Sequence, residues 1–281
     1  MGELIALFHK YDISQIIFAV GLMMTRIIAM IWLAPFLGGK LVPAQVKMGL
    51  SLVIGLLIYP FVLNEASLTQ LFSAPKGNEF PLAARMVGLI TKEVFIGFIL
   101  GYIILMIWYA AEMIGRFVDT ARGSAMGATL VPEMGTQAST LGSLYYQLLI
   151  VIFLLLDGHL IFLNYFIQSY IYIPLASVPR IDAGLWPLFE MIMRITAQLF
   201  VAAITLSAPV MLAIFVTDVC MGLFNKVAPQ INVMFLMMPF KAMLGILICM
   251  VSLFMFVEES QKLMTITLNQ VWMAIRYLSP F

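Results

Sequence analysis

Long apolar runs dominate the chain, and single charges interrupt the longest of them. Residues 13 to 39 read ISQIIFAVGLMMTRIIAMIWLAPFLGG, uncharged except for Arg26 at the centre, and the block from Met134 to Pro179 carries Asp157 as its only charge, with His159 two residues on. Taking about 20 residues as the length that crosses hydrocarbon, hydropathy predicts roughly six spans, at 13–36, 48–63, 94–111, 143–172, 195–217 and 242–257. Two of these, 48–63 and 242–257, run for only about 16 residues, roughly 24 Å of helix against a hydrocarbon core of about 30 Å. Prolines at 60, 174, 209, 229 and 239 each remove a backbone donor inside or beside an apolar run, which predicts kinked or discontinuous helices. Such breaks are tolerated only where protein or water satisfies the freed carbonyls. The most polar connection is 64–93, with a turn signal at Pro75-Lys76-Gly77-Asn78. No internal repeat is visible.

The central charges matter because of their cost. A charge at mid-bilayer is unfavourable by about 2.5–3.5 kcal/mol on insertion scales, while each Leu or Ile returns only about 0.3–0.6. Arg26 and Asp157 therefore require a protein partner or a watery lumen. Composition agrees with a membrane-derived chain: 63% hydrophobic, 10% charged, mean hydropathy +1.06, far more apolar than a soluble domain. With a net charge of +1 and no basic stripe, nucleic acid is excluded as a partner. The start, MGELIALFHKYD, lacks the basic region and small-residue cleavage site of a signal peptide. Cys220 and Cys249 lie in apolar segments without metal or redox spacing, so buried free thiols are expected.

Basic residues are spread almost evenly over the connections, two or three in each, where an ordinary multispanning protein alternates. The short spans, central charges and flat basic distribution together predict a final position not set by lipid alone.

One segment is locally legible. Glu112, Arg116, Asp119 and Arg122 stand at steps of four, three and three, one helix face of alternating sign. That stripe is either a solvated face or a polar seam against a partner subunit or lumen. The segment that follows, GSAMGATLVPEMGTQAS, holds Gly123, Met126, Gly127, Leu130, Val131, Met134 and Gly135, a composition that changes shape easily but also suits a plain interhelical loop. Methionine is abundant, 22 residues, with a cluster at Met234, Met237 and Met238; packing is its commoner use, a soft seal the alternative.

Catalytic motifs are excluded by counting. Two histidines, His9 and His159, cannot make an HExxH site, no conventional metal-ligand set is visible, and no GxSxG elbow exists. Glu258-Glu259 is followed by Leu263 and no histidine; a solvated helix explains the pair. Asp157-Gly158-His159 is read either as a kink satisfied by its neighbours or as a proton relay. No catalytic residue, metal or cofactor is expected.

A resemblance becomes specific at this point. The stretch from Glu93 through Gly97 and Gly101 to the charged helix, the Gly/Met segment, LDGHLIFLNYFIQSY with His159 and Ser169, and the run Asn225-Lys226-Val227-Ala228-Pro229-Gln230-Ile231-Asn232-Val233 resemble the FliR/SctT (YscT/SpaR) family of type III secretion and flagellar export proteins over nearly the whole chain. The strongest block places Lys226, Ala228, Pro229, Gln230 and Asn232 on the family pattern, with Lys226 where arginine is commoner. Val131-Pro132-Glu133 departs from it, since Asp often precedes that Pro in the family. Met238-Pro239-Phe240-Lys241 resembles the injectisome branch more than the flagellar one.

The resemblance implies an all-α fold of membrane-derived helical hairpins, part of a helical export-gate cylinder built with several copies of smaller apolar subunits, raised largely out of the bacterial inner membrane. It implies a noncatalytic subunit of the central entrance channel for unfolded secretion substrates, contacting also the switch protein and the export ring. Residues 1–190 would resemble one neighbouring subunit and 191–281 the other. The segment from Arg122 to about Thr136 would be a plug across the closed pore. Arg26, Glu112, Arg116, Asp119, Asp157, His159, Lys226, Pro229, Gln230 and Asn232 are expected at interfaces or in helix packing. The alternative is a secondary transporter or proton-coupled channel using Asp157 and His159, which would show inverted halves.

Overall fold

The structure is a computed structural model and describes residues 13–39, 42–62, 82–123, 139–177, 186–228, 230 and 233–279. Every long element among them is an α-helix, and the fold is all-α: α1 Ile13–Leu33, α2 Ala44–Val62, α3 Leu82–Ala121, α4 Thr140–Leu155, α5 Gly158–Tyr172, α6 Trp186–Val227 and α7 Val233–Leu278, with a single 3-10 turn at Pro35–Leu37. Long runs of apolar residues, rich in the good helix formers Leu, Met and Ala, account for these elements, which continue through Pro60, Pro209 and Pro239. The α1–α2 corner is made by Pro35 and by Gly38 and Gly39, both at positive φ, where a side chain would be strained.

Among the described residues five helices are long and apolar enough to cross a membrane, α1, α2, α3, α6 and α7, and the bent pair α4 and α5 passes the same test when taken together. Three of them exceed the lengths read from hydropathy. The runs 94–111, 195–217 and 242–257 are parts of helices of 40, 42 and 46 residues, roughly 60–70 Å at 1.5 Å per residue and about twice the hydrocarbon thickness. The apparent shortness of 242–257 is thus corrected. A hydropathy window closes at Lys241, Glu258 and Glu259, yet Lys and Glu are good helix formers and the helix continues through them. Residues 48–62 likewise lie in a helix of 19 residues, Ala44–Val62. By contrast, 143–172 is two helices, broken at Leu156–Asp157. Pro60, Pro209 and Pro239 stand inside helices, while Pro174 follows the end of α5; Pro229 lies outside the described residues.

The chain forms two compact units, neither continuous in sequence. The first comprises Met1–Leu105, Asp157–Ile192 and Thr267–Phe281. Its core is built by Leu22, Ile27, Met30, Ile96, Leu100, Phe162 and Val271, all buried. Here α1 and α3 approach to backbone contact. A Cβ on Gly97 would run into the Arg26 carbonyl oxygen, and one on Gly101 would meet Leu33 Cβ at 2.9 Å and Met30 O at 3.2 Å. Small residues at such a crossing allow close van der Waals packing. The second unit comprises Met106–Leu156 and Met193–Ile266. Its core includes Trp108 edge-on to Phe153 (ring centroids 5.0 Å apart) and Tyr145 edge-on to Phe256 (4.7 Å), geometries that aromatic quadrupoles favour.

Each unit also exposes apolar surface. Leu56, Leu57 and Phe61 of α2 and Val201, Leu212, Phe215, Met250, Val251 and Phe254 of α6 and α7 are exposed, Phe254 by 79%. Water does not cover continuous faces of this kind at low cost; lipid or neighbouring subunits must.

Candidate functional site

Two polar constellations stand out against the apolar background, one in each unit. The first is centred on Arg26 of α1, whose side chain is fully buried. Its Nε donates to Glu93 Oε2 at 2.5 Å and its Nη2 to Glu93 Oε1 at 3.1 Å. The two terminal nitrogens reach further partners: Nη1 donates to Ser169 Oγ at 3.1 Å and Nη2 also to the Ile173 carbonyl at 3.0 Å. The Tyr170 ring lies 4.2 Å from the guanidinium carbon, and the Tyr170 hydroxyl donates to Met23 O at 2.9 Å. A second cation joins from the residue before Glu93. Lys92 Nζ sits 2.7 Å from Glu93 Oε1 and donates to the carbonyls of Pro174, Leu175 and Ser177 at 2.8–3.1 Å. The planar fork of arginine suits a carboxylate in a desolvated place. This network ties α1, α3, α5 and the turn after α5 together, and both Glu93 oxygens are engaged.

Helix spacing groups Glu112, Arg116, Asp119 and Arg122 on one face, and the structure divides them. Glu112 and Arg116 form an exposed pair, Arg116 Nη2 to Glu112 Oε1 at 2.6 Å, of small energetic weight. Asp119 is buried. Its Oδ1 accepts from Arg122 Nη2 at 2.5 Å, and its Oδ2 accepts from Ser139 Oγ at 2.6 Å and from the Leu141 amide at 3.0 Å. Ser139 in turn caps α4, its Oγ accepting from the Gly142 amide at 2.8 Å. Helix N-termini leave amides unsatisfied, and here a carboxylate from α3 and the serine that precedes α4 satisfy two of them. Charge favours the arrangement too, since an anion beside a helix N-terminus is stabilised.

At the same place α3 and α4 come to backbone contact. A Cβ on Gly115 would run into the backbone of Leu141 and Gly142, and one on Gly142 would meet Ser139 Oγ at 2.7 Å and Glu112 O at 3.0 Å. From α7, Gly245 gives room to the Arg122 stem: a Cβ there would meet Arg122 Cδ at 2.9 Å and Cγ at 3.2 Å. Gly123, at φ +81°, ends α3 in the left-handed conformation that glycine adopts without strain. Met126, Gly127, Leu130, Val131, Met134 and Gly135 lie outside the described residues, as do Pro229 and Asn232.

Asp157 is exposed and sits in the turn between α4 and α5 at φ 54°. Its carbonyl accepts from the Leu160 and Ile161 amides, opening α5, while its side chain makes no cap. The helix stops there, so Asp157 stands exposed at a bend between two helices and not inside one. His159 is half-buried, and among the described residues its Nδ1 has no hydrogen-bond partner. Lys226 and Gln230 are exposed at and after the end of α6. An ion pair between Lys241 and Asp218 joins α7 to α6. Of the two cysteines, Cys249 is buried with its Sγ 3.2 Å from the Tyr145 hydroxyl, whereas Cys220 is exposed, which corrects the expectation that both are buried. Among the described residues no group of three or more His, Cys, Asp or Glu is placed to hold a metal ion.

Sequence reasoning found Arg26, Asp119 and Arg122 but missed Lys92, Ser139, Gly115, Gly142 and Gly245. An arginine in an apolar run demands a carboxylate, and Glu93 with Lys92 beside it at the head of another apolar run was the available signal.

Comparison with known proteins gives a consistent result. The family described as bacterial export proteins, family 1, matches residues 17–266. The secretion system apparatus protein SsaT of Salmonella typhimurium is 28% identical over 242 residues, covering 86% of this chain and 89% of that protein. The Yop proteins translocation protein T of Yersinia pestis is 27% identical, over 92% of this chain and 94% of its own length. The flagellar biosynthetic protein FliR of Bacillus subtilis is 24% identical, over 85% and 88%.

Proposed function

The chain belongs to the bacterial export proteins, family 1, the FliR/SctT family, and from that premise we propose that it is a subunit of the central entrance channel of a type III protein export apparatus in the bacterial inner membrane. A role in protein export follows from the family. The finer reading is that its exposed apolar faces on α2, α6 and α7 are covered by smaller membrane subunits of a hetero-oligomeric helical complex, which lifts much of the chain out of the bilayer and passes unfolded substrates. The switch protein and the export ring are the proposed neighbours beyond that complex. The division into 1–190 and 191–281, proposed to resemble two different neighbours, falls inside the first turns of α6.

The single observation that best supports the channel reading is the junction of α3 and α4. Asp119 and Ser139 hold the two sides of the 124–138 connection together, and that connection has the glycine- and methionine-rich composition of a pliable seal. We assign the segment from Arg122 to about Thr136, including Met126, Gly127, Leu130, Val131, Met134 and Gly135, as the plug of the closed pore. Arg26, Glu112, Arg116, Asp157, His159, Lys226, Pro229, Gln230 and Asn232 are assigned to packing and interfaces, and no catalytic step is proposed for any of them.

Deleting Met126 to Val131 tests the assignment. The assembled complex should then leak small solutes across the inner membrane. Unchanged conductance in a fully assembled complex would reject the plug.

A further inference from the structure

We infer that Asp119 is a positioning residue that clasps α3 to α4 and fixes the spacing of the two ends of the 124–138 connection, with Gly245 of α7 as the seat that holds its partner Arg122 in place. The geometry has three independent parts. Asp119 accepts from Arg122 on one side of the connection and from Ser139 and Leu141 on the other, so one buried carboxylate joins both ends. Gly115 and Gly142 bring the two helices to backbone contact at the same level, a close fit that the carboxylate keeps in register. Gly245 allows the Arg122 stem to lie flat against α7, and any side chain there displaces it.

Physical chemistry makes Asp119 the controlling member. Its hydrogen bonds are charge-assisted and largely desolvated. Removal of its side chain leaves the Leu141 amide and the Arg122 guanidinium without their acceptor. A hydrogen bond between ionised and neutral groups in such a place shifts a local opening equilibrium by roughly 10- to 100-fold. The clasp therefore sets how often the junction opens. Its functional consequence rests on the reading of the connection as the plug; its existence does not.

Hydrogen–deuterium exchange of the assembled complex separates the two. The readout is the peptide containing the Leu141 and Gly142 amides. Asp119→Ala should speed exchange there roughly 10- to 100-fold, and Asp119→Asn, which keeps an acceptor oxygen, should lie between Ala and the native chain. Exchange unchanged in Asp119→Ala overturns the inference. Should Asp119→Ala fail to assemble, Asp119→Cys with Ser139→Cys, in a Cys220→Ser background, replaces the hydrogen bond by a disulfide. The oxidised pair should protect these amides and reduction of the assembled complex should release them; equal exchange before and after reduction overturns the inference. Solute leakage is scored in the same variants. Faster exchange with leakage supports both the clasp and the plug, whereas faster exchange without leakage sustains the clasp and counts against the plug.

Discussion

Arg26 and Glu93, 67 positions apart, meet through two hydrogen bonds in a place from which solvent is excluded, at 2.5 and 3.1 Å. Lys92 makes the carboxylate the shared anion of two cations, and this sets an order among substitutions. Glu93→Gln leaves Arg26 and Lys92 facing each other without an anion. Arg26→Leu leaves Glu93 still paired with Lys92. Breaking a buried pair costs about 3–5 kcal/mol, so both variants should lower the thermal stability and yield of the complex, Glu93→Gln more severely. The check is the melting temperature and recovery of tagged complex; equal or reversed severity would contradict the charge count.

Backbone contact between α1 and α3 gives a second expectation. At Gly97 a Cβ meets the Arg26 carbonyl, whereas at Gly88, on the same helix, it meets nothing within 4 Å. Gly97→Ala should destabilise the protein by about 1–3 kcal/mol through overpacking. Gly88→Ala should be neutral or stabilising by up to about 1 kcal/mol, since alanine is the better helix former. Thermal melting of the two single variants measures the difference.

Asp157 carries a third. It is exposed and left-handed, so its charge is dispensable while its backbone is not. Asp157→Asn should leave assembly and secretion intact, because Asn tolerates this conformation, and Asp157→Val should cost about 1–2 kcal/mol. A specific loss of proton-driven export in assembled Asp157→Asn complexes would restore the transporter reading.

Much of this arrangement was legible in the sequence, and the rest was hidden for identifiable reasons. The burial of Arg26 follows from its cost in lipid, but its partners do not, because Ser169 and the Ile173 carbonyl come from a helix about 145 positions away. Helix lengths were misjudged where charges close a hydropathy window without ending a helix, as at Lys241 and Glu258. Asp119 and Arg122 could not be told from Glu112 and Arg116, since all four share one helical spacing. What separates them is α4, which covers Asp119 through Ser139 and Leu141 and leaves Arg116 in the open. For Asp157, Gly158 signals a kink, but the unbroken hydropathy of the run 143–172 does not tell a kinked helix from the two separate helices that meet at Leu156–Asp157.

The exposed faces of α2, α6 and α7 carry the central claim, that this chain functions as one subunit of a larger apolar assembly. The direct measurement is to purify the tagged chain into lipid nanodiscs and image the particle with its bilayer. The account predicts that smaller membrane subunits accompany it, pack over Phe61, Phe215 and Phe254, and leave much of the chain outside the lipid density. A lone chain ringed by lipid along all its long helices would contradict it.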